Sequence, residues 1–299
     1  MNHAIVNPIV DSGEIRMDGQ GRLLTRPPAS STPSIAHRHA DVLGVKVSAI
    51  DMERALELAV RWIQRGDPGY VCFAGVHGVM EAQRDRELLG IFNHAAMAAP
   101  DGMPMTWVGR FRGHRHMDRV FGPEFMLEMC RISVERGYRN FLYGGKLGVA
   151  ERLSENLQRR LPGLQIVGTF APPFRTLHAE EAAELVALVR QARPHILWVG
   201  LSTPKQERFM AQFVDRLEVP LLAGVGAAFD FHTGAIRDCS SWVKRAGLQW
   251  LHRLAQEPDR LWKRYLTNNP AFLWKIALLL AASRPKWCWP QPFRGEVKQ

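Results

Sequence analysis

The chain has 299 residues, 46% of them apolar and 23% charged, which are ordinary values for a globular protein and exclude a largely disordered or collagen-like chain. Its four cysteines, at positions 72, 130, 239 and 288, are widely spaced without a C-x-x-C pair, which argues against a disulfide scaffold or a zinc ribbon and indicates reduced thiols. Most of the net charge of +10 lies from Arg237 onwards, where the chain has 12 Lys and Arg residues but only 4 Asp and Glu residues. The same segment contains six of the nine Trp residues. A basic, Trp-rich segment suits an anionic membrane surface or a nucleic acid.

The N-terminal region, residues 1–40, is predicted to be a disordered tail. It contains Pro27-Pro28 and Ser30-Ser31 and few large apolar side chains. Its first residues lack a basic stretch followed by an apolar core, so no signal peptide is expected. Order is predicted to begin with a short strand over 42–47, followed by a helix that Asp51 caps and whose apolar positions recur every 3.6 residues up to Ile63.

From Tyr70 onwards, strand and helix patterns alternate. The predicted strands are Tyr70–Phe73, Met97–Ala99, Asn140–Tyr143, Gln165–Gly168, His195–Gly200 and Leu221–Gly224. The helices predicted between them are Val79–His94, Met103–Arg110, Glu124–Arg136, Val149–Arg160, Ala179–Ala192 and Lys205–Leu217. Several strands are unbroken apolar runs, which is typical of parallel strands buried on both faces. The sequence therefore predicts an α/β fold over 41–245, with a Rossmann-like, mostly parallel sheet and flanking helices.

After Gly234 the strand patterns end, and a basic helical appendage is predicted over 246–284, followed by a tail over 285–299. Helical patterns cover Trp242–Leu254, Asp259–Leu266 and Phe272–Ala282, with Pro258 and Pro270 between them. The longest apolar run, from Ala271 to Ala282, is interrupted by Lys275 and is shorter than the about 20 residues that span a bilayer. It can lie in a membrane interface or form an ordinary buried helix.

Four segments with polar residues or glycines follow predicted strands, at the edge of a parallel sheet where ligands bind. In the first, Asp101 is either a general base that faces a cleft or the N-cap of the next helix. In the second, Gly144, Gly145 and Lys146 form either a phosphate-binding turn or a plain strand-to-helix turn. No Ser or Thr follows Lys146, so this is not a Walker A loop.

The third segment follows Gly200 and opens a helix at Pro204, with Lys205, Gln206 and Glu207 in the first turn. A cation and an amide at the end of an apolar strand are more than a solvated surface needs. Because polar groups at such crevices are where ligands sit, this segment favours a binding role.

In the fourth segment, Gly224 and Gly226 follow a strand and can approach a phosphate. Phe229 stands where the dinucleotide fingerprint needs a third glycine, which argues against NAD. Asp230 is either a nucleoside contact or a buried cap. The sequence also lacks D-x-D, G-x-S-x-G and a zinc-binding histidine motif, so a metal held by paired Asp, a serine hydrolase and a zinc site are not supported.

In combination these segments resemble the WecG/TagA/CpsF glycosyltransferase family over about residues 41–270. The matching stretches are Pro100-Asp101-Gly102, Gly144-Gly145-Lys146, Gly200-x3-Pro204-Lys205-Gln206-Glu207, Gly224-Val-Gly226-x2-Phe229-Asp230-Phe231-x2-Gly234, and Gly247-Leu-Gln-Trp250-Leu-x-Arg253-Leu-x2-Glu257-Pro258-x-Arg260-x3-Arg264-Tyr265. Three stretches depart from the family pattern. Phe73-Ala74-Gly75 replaces a frequent Thr-x-Asn, Arg237-Asp238-Cys239 replaces Arg-Ala-Pro, and Leu248-Gln249-Trp250 replaces Leu-Glu-Trp. The first departure leaves the identity of the sugar or acceptor open.

The resemblance implies an inverting, metal-independent transferase of bacterial cell-surface polysaccharide synthesis. The family moves a sugar, often N-acetylmannosamine or its uronic acid, from UDP to a sugar on a polyprenyl-diphosphate lipid. By this resemblance Asp101 is the candidate base, Gln206 lies in the active site, and the appendage closes over the site and meets the membrane. No cofactor or metal is expected. The expected nucleotide-sugar contacts are Gly144, Gly145, Lys146, Gly200, Pro204, Lys205, Gln206, Glu207, Gly224, Gly226 and Asp230.

Such a reaction needs positive charge where UDP departs, since no divalent cation offsets the diphosphate. Arginine holds phosphate oxygens in pairs, which lysine cannot do. The expected diphosphate and acceptor contacts are therefore Arg237, Arg253, Arg260 and Arg264. The implied partners are a UDP-sugar, a polyprenyl-diphosphate-linked saccharide and an anionic membrane, with the protein peripheral on the inner face of the cell membrane.

Alternative interpretations remain open. A glucosyl or glucuronyl donor fits the same scaffold. A basic nucleic-acid-binding protein is a distant alternative, because neither an RNP pattern nor a zinc finger occurs. A homo-oligomer is not decided by the sequence.

Overall fold

The structure, a computed structural model, describes residues 37–282. The predicted tail over 285–299 and most of that over 1–40 lie outside the described residues. The strands are β1 (His39–Val42), β2 (Val45–Ser48), β3 (Gly69–Ala74), β4 (Met97–Pro100), β5 (Arg139–Gly144), β6 (Gln165–Phe170), β7 (Ile196–Gly200) and β8 (Leu221–Gly224). The helices up to the appendage are α1 (Met52–Arg65), α2 (Val76–Ala82), α3 (Arg86–His94), α4 (Met103–Phe111), α5 (Gly122–Arg136), α6 (Val149–Arg160), α7 (Ala179–Ala192), α8 (Lys205–Leu217) and α9 (Ala228–His232).

The main sheet has six strands in the order β4-β3-β8-β7-β5-β6, and every neighbouring pair is parallel. Helices cover both faces. On one face Phe92, Tyr143 and Phe213 belong to the core, and on the other Phe125 and Trp198 do. Because both faces are covered, central strands such as β3 and β8 are buried along their whole length. The predicted α/β fold with a Rossmann-like sheet is confirmed.

The prediction of one strand over 42–47 was wrong, because this segment contains the end of β1, a turn and most of β2, which together form an antiparallel hairpin. Leu43 and Gly44 form the turn with φ values of 53° and 85°, as a two-residue hairpin loop requires. Among the described residues, regular structure therefore begins at His39, inside the predicted tail. The hairpin lies beside the edge strand β4, where the Ala98 N–H donates to Ser48 Oγ at 3.1 Å.

The helix predicted over Val79–His94 is two helices, α2 and α3. The break comes at Asp85, whose carboxylate accepts from the N–H groups of Glu87 and Leu88 at 3.0 and 3.1 Å. Asp85 thus caps a new helix, which the apolar period alone did not show.

The appendage consists of α10 (Ser241–Arg245), α11 (Gln249–Gln256) and α12 (Pro258–Ala282). The helix predicted over Trp242–Leu254 is interrupted at Gly247, which has a φ of 72°. The break predicted at Pro270 was wrong, since α12 runs through it for 25 residues. Leu261, Phe272 and Ile276 are buried on either side of the proline, and this packing holds both halves in one helix. No helix within residues 37–282 is both long and apolar enough to cross a bilayer.

Candidate active site

The carboxyl ends of all six parallel strands meet at one edge of the sheet. From β5 the chain continues outwards to β6, whereas from β7 it continues the other way to β8. Neighbouring strands whose connections diverge in this way leave a crevice between their loops, and ligands of open α/β sheets bind there. Gly144 ends β5 and Gly200 ends β7, and the two residues are paired across this crevice.

The glycines at this edge bring backbone segments into close contact. The Gly145 N–H donates to the Gly200 carbonyl at 3.1 Å. A Cβ on Gly144 would fall 2.6 Å from Gly200 O, and one on Gly200 would fall 2.6 Å from the Phe229 ring. Protein packing alone therefore requires glycine at positions 144 and 200. Their contact with a phosphate stays a prediction, as does that of the exposed Lys146.

We expect Gly200→Ala to destabilise the protein by about 1–3 kcal/mol, because the added methyl group overlaps the buried Phe229 ring. Urea unfolding measures the change. Gly90→Ala is the matched control: Gly90 lies inside α3 with open space around it, and we expect stabilisation of up to about 1 kcal/mol. Equal stability of Gly200→Ala and the wild type would contradict this account of the edge.

Asp101 follows β4 directly and faces the end of β3. The N-cap of α4 is Gly102, without a side-chain cap, so the structure excludes the capping alternative for Asp101. The Asp101 N–H bonds Ala74 O at 3.0 Å, and a Cβ on Gly75 would lie 3.9 Å from Asp101 Oδ2. No hydrogen bond to the Asp101 carboxylate is found within residues 37–282. This carboxylate is therefore available to an incoming hydroxyl group.

The positive charges of three arginines act on this carboxylate: Arg119 in the loop between α4 and α5, Arg253 on α11 and Arg264 on α12. Burial raises the pKa of Asp101, and the positive charges of these three arginines act in the opposite direction. Each arginine has a buried Nε without a hydrogen-bond partner among the described residues. Burial also lowers the pKa of Arg264, with Arg253 and Arg260 adding to the shift. Buried N–H donors that lack acceptors indicate a site built for an anion.

Neighbouring side chains orient this arginine cluster. The Arg119 guanidinium lies 4.2 Å above the Phe121 ring and donates to Gln249 Oε1. Arg253 pairs with Glu257 at 3.1 Å. The residues that would contact a ligand are therefore held before it arrives.

The other two arginines predicted to contact the diphosphate or the acceptor, Arg260 and Arg237, lie in different environments. Arg260 is more exposed and pairs with Glu257 at 2.9 Å, and its charge lowers the pKa of Asp230, which burial raises. Arg237 is exposed, and it is held by its backbone, which exchanges hydrogen bonds of 2.8 and 3.0 Å with the Gln256 amide. The structure thus brings Arg260 near Asp230 and leaves the Arg237 side chain at the surface.

Gln206 and Glu207 are buried beneath the glycine-containing loops, whereas Lys205 is exposed. Glu207 Oε1 accepts from Thr203 Oγ1 at 2.9 Å and from Gln206 Nε2 at 3.0 Å. Gln206 Nε2 also donates to Gly224 O at 2.7 Å. Burial raises the pKa of Glu207. Gln206 Oε1 and Glu207 Oε2 lack partners among the described residues. The segment thus stabilises the end of β8 through the bond to Gly224 and also holds two acceptor oxygens that no described residue uses.

Sequence reasoning missed Arg119. It lies in a loop that also contains Arg112 and Arg115, just after Arg110 at the end of α4, and no periodic pattern separates it from them. Only the fold shows which of them reaches Asp101. Within residues 37–282, no three His, Cys, Asp or Glu side chains gather into a possible metal site.

Known proteins resemble this chain over most of its length. The model of the Glycosyl transferase WecG/TagA/CpsF family matches residues 40–286. An N-acetylglucosaminyldiphosphoundecaprenol N-acetyl-beta-D-mannosaminyltransferase of Bacillus subtilis (strain 168) is 25% identical over 218 residues, which cover 73% of this chain and 82% of that protein. A protein of the same name from Staphylococcus aureus (strain MW2) is 24% identical over 241 residues, 79% of this chain and 91% of the relative. A third, from Bacillus spizizenii (strain ATCC 23059 / NRRL B-14472 / W23), is 22% identical over 210 residues.

Proposed function

The chain belongs to the WecG/TagA/CpsF family of glycosyltransferases, and on that premise we propose that it transfers a sugar from UDP to a saccharide on a polyprenyl diphosphate, with inversion and without a metal ion. The observation that carries the proposal is the unpaired carboxylate of Asp101 facing Arg119, Arg253 and Arg264 at the carboxyl edge of the sheet. This edge offers a base and an anion site side by side.

Asp101 acts as the general base in a single in-line displacement. The acceptor oxygen forms its bond to the anomeric carbon while the bond from that carbon to the UDP oxygen breaks. The hydroxyl proton passes to the Asp101 carboxylate, and the electron pair of the broken bond leaves on the β-phosphate of UDP. The raised pKa of Asp101 makes its ionised form a stronger base than an ordinary aspartate.

The arginines offset the charge that the departing UDP gains. Guanidinium groups donate in pairs to phosphate oxygens, and burial strengthens these bonds. Arg253 and Arg264 come from the appendage, whereas Arg119 comes from the sheet domain. The phosphate site is therefore complete only when the appendage lies on the sheet domain.

For the substrates, we propose N-acetylmannosamine as donor sugar and N-acetylglucosaminyl diphosphoundecaprenol as acceptor, following the names of the relatives. A glucosyl or glucuronosyl donor is the second candidate. It is kept because Gly75, which lies beside Asp101, stands where the family pattern frequently has Asn.

A panel of UDP-sugars, offered with a polyprenyl-diphosphate-linked N-acetylglucosamine, tests the proposal. We expect transfer from UDP-N-acetylmannosamine, with product of inverted configuration. Transfer from UDP-glucose or UDP-glucuronate alone would select the second candidate. Lack of transfer from every UDP-sugar, together with a lack of thermal stabilisation by UDP, would contradict both.

We propose that the appendage also docks on an anionic bilayer, on its cytoplasmic face. Large apolar side chains of α10–α12 are exposed among basic residues: Trp242, Trp250, Leu251, Trp262, Leu266, Trp274 and Leu278. The exposed Trp107 of α4 adjoins this surface, since a Cβ on Gly247 would fall 3.0 Å from its ring. Tryptophan at headgroup depth and basic residues near anionic lipids both favour such docking.

Replacing Trp262 and Trp274 together with serine is expected to lower binding to anionic vesicles at least about tenfold, because burying one large apolar side chain contributes ~1.5–3 kcal/mol. Vesicle flotation measures the binding. The control is Phe174→Ser, which removes an exposed aromatic residue that lies outside the appendage, in the loop before α7. Unchanged flotation of the double variant would show that α12 is not the docking surface.

A further inference from the structure

A buried amide joins α12 to α2. Asn268 of α12 is 3% exposed, and α12 and α2 are in contact along this stretch. Asn268 Nδ2 donates to His77 Nδ1 at 3.0 Å, and its Oδ1 accepts from Arg84 Nη1 at 3.2 Å. Since a guanidinium only donates, Arg84 fixes which end of the amide carries the oxygen. The nitrogen of the amide is thus bonded to α2, and its oxygen is bonded to the turn that follows α2.

His77 extends this connection to the β7–α8 loop. The backbone of Thr203 lies close enough to the His77 ring to favour its protonated form. Because Nδ1 accepts from Asn268, however, the ring is neutral and carries its proton on the other nitrogen. Burial, with the nearby Arg264 and Arg84 charges, lowers the pKa of His77 to about 4, in agreement with that state.

The position of Asn268 on α12 links it to the active site. It lies four residues after Arg264, so one helical turn separates them and their side chains point from the same side of the helix. The other buried residues of that side, Leu261, Phe272 and Ile276, are apolar. Apolar contacts alone tolerate sliding along the helix, whereas a buried amide with two partners fits only one register.

We propose that Asn268, His77 and Arg84 form a clamp that fixes the register of α12 on α2 and thereby positions Arg264 over the active site. Asn268 and His77 are positioning residues, since they act through Arg264. The proposal rests on the function proposed for Arg264, but the clamp itself has a readout that needs no activity. That readout is amide hydrogen exchange in α12.

Asn268→Ala removes both hydrogen bonds of the amide. We expect exchange of the α12 amides to accelerate about tenfold, and UDP affinity and kcat/KM to fall about tenfold, while the unfolding transition of the sheet domain stays in place. Asn269→Ala is the matched control, because it makes the same change one residue further along α12, at a side chain that is less buried. Exchange and kinetics equal to those of Asn269→Ala would overturn the proposal.

Asn268→Asp provides a second test that keeps the shape of the side chain. A carboxylate still accepts from Arg84 but cannot donate to His77, so the ring must now donate from Nδ1. A neutral ring can do so only by moving its proton from the other nitrogen, whereas a protonated ring donates from both. The variant therefore raises the pKa of His77, and the clamp should be strongest below that pKa and weaken as the pH rises through it, because the charge-assisted bond is then lost.

The charges that face His77 are those of Glu81 and Arg84 beside it and of Arg264 on α12. All of them remain in Asn268→Asp, so a pH dependence found only in this variant reports the new carboxylate. At each pH, exchange in α12 is compared with that of Asn269→Asp. We expect a ratio near one at acid pH that rises at alkaline pH, by less than the tenfold change expected for Asn268→Ala.

The possible failures are distinguishable. Exchange in α12 of Asn268→Ala equal to that of Asn269→Ala would overturn the clamp whatever the activity of the protein. Absence of transfer by the wild type would contradict the proposed function, while the exchange experiment would still report on the clamp. Rescue supplies a further check: His77→Asn, which can place an acceptor near the Nδ1 position, should retain more UDP affinity than His77→Ala. Equal loss in both variants would contradict the assigned hydrogen bond.

Discussion

Asp101→Asn is expected to lower kcat for sugar transfer by about 10²–10⁴-fold, the usual contribution of a general base. The amide keeps the size of the side chain but cannot take the proton of the acceptor hydroxyl group. UDP affinity should stay near that of the wild type, because the arginines and not Asp101 hold the diphosphate. Steady-state kinetics and calorimetric titration with UDP measure the two quantities.

The pH dependence adds an independent check on Asp101. A base works only when ionised, and burial raises the pKa of this carboxyl. The wild type should therefore lose activity on the acid side at a pH above the ordinary range of an aspartate, and the residual activity of Asp101→Asn should lack this limb. Asp67→Asn is the control, since Asp67 is an exposed aspartate that pairs with Arg65. Retained turnover in Asp101→Asn would dismiss Asp101 as the base.

Arg264→Ala is expected to lower kcat by about 10²–10³-fold, as loss of one donor to a developing negative charge does in other enzymes. Arg264 is partly buried and its buried Nε has no partner among the described residues, so its role is not explained by packing within the protein. Arg264→Lys should recover part of the loss, because a lysine supplies charge but not paired donors.

The control for Arg264 is its neighbour Lys263, which lies over the exposed Trp262 ring at 5.4 Å. Lys263→Ala removes one positive charge from the same helix and should leave kcat with a soluble acceptor unchanged. If both variants lose activity equally, general charge and not the position of Arg264 would explain the result.

The sheet could be predicted from the sequence because its signals are local. Unbroken apolar runs such as Ile196–Val199 show burial on both faces, and helical periods separate them. Asp101 could be singled out because it follows such a run directly. The break at Asp85 and the turn at Leu43-Gly44 were missed, since one short cap or turn changes the apolar pattern very little.

Long-range contacts account for what could not be predicted. Pro270 is a strong local signal for a helix end, yet the buried Phe272 and Ile276 keep α12 continuous. Arg119 and Gln249 meet across 130 positions, and Asn268 and His77 across 191. Nothing in the neighbourhood of either pair in the sequence shows that they touch.

The most direct test of the account is sugar transfer by the wild type after exhaustive treatment with a chelator, measured alongside Arg264→Ala with and without added Mg²⁺. The central claim is that arginines of the C-terminal helices, together with Arg119, offset the charge of the departing UDP. The account predicts full activity of the chelated wild type and a defect in Arg264→Ala that Mg²⁺ does not repair. Activity lost to the chelator and restored by a divalent cation, with Arg264→Ala as active as the wild type, would contradict it.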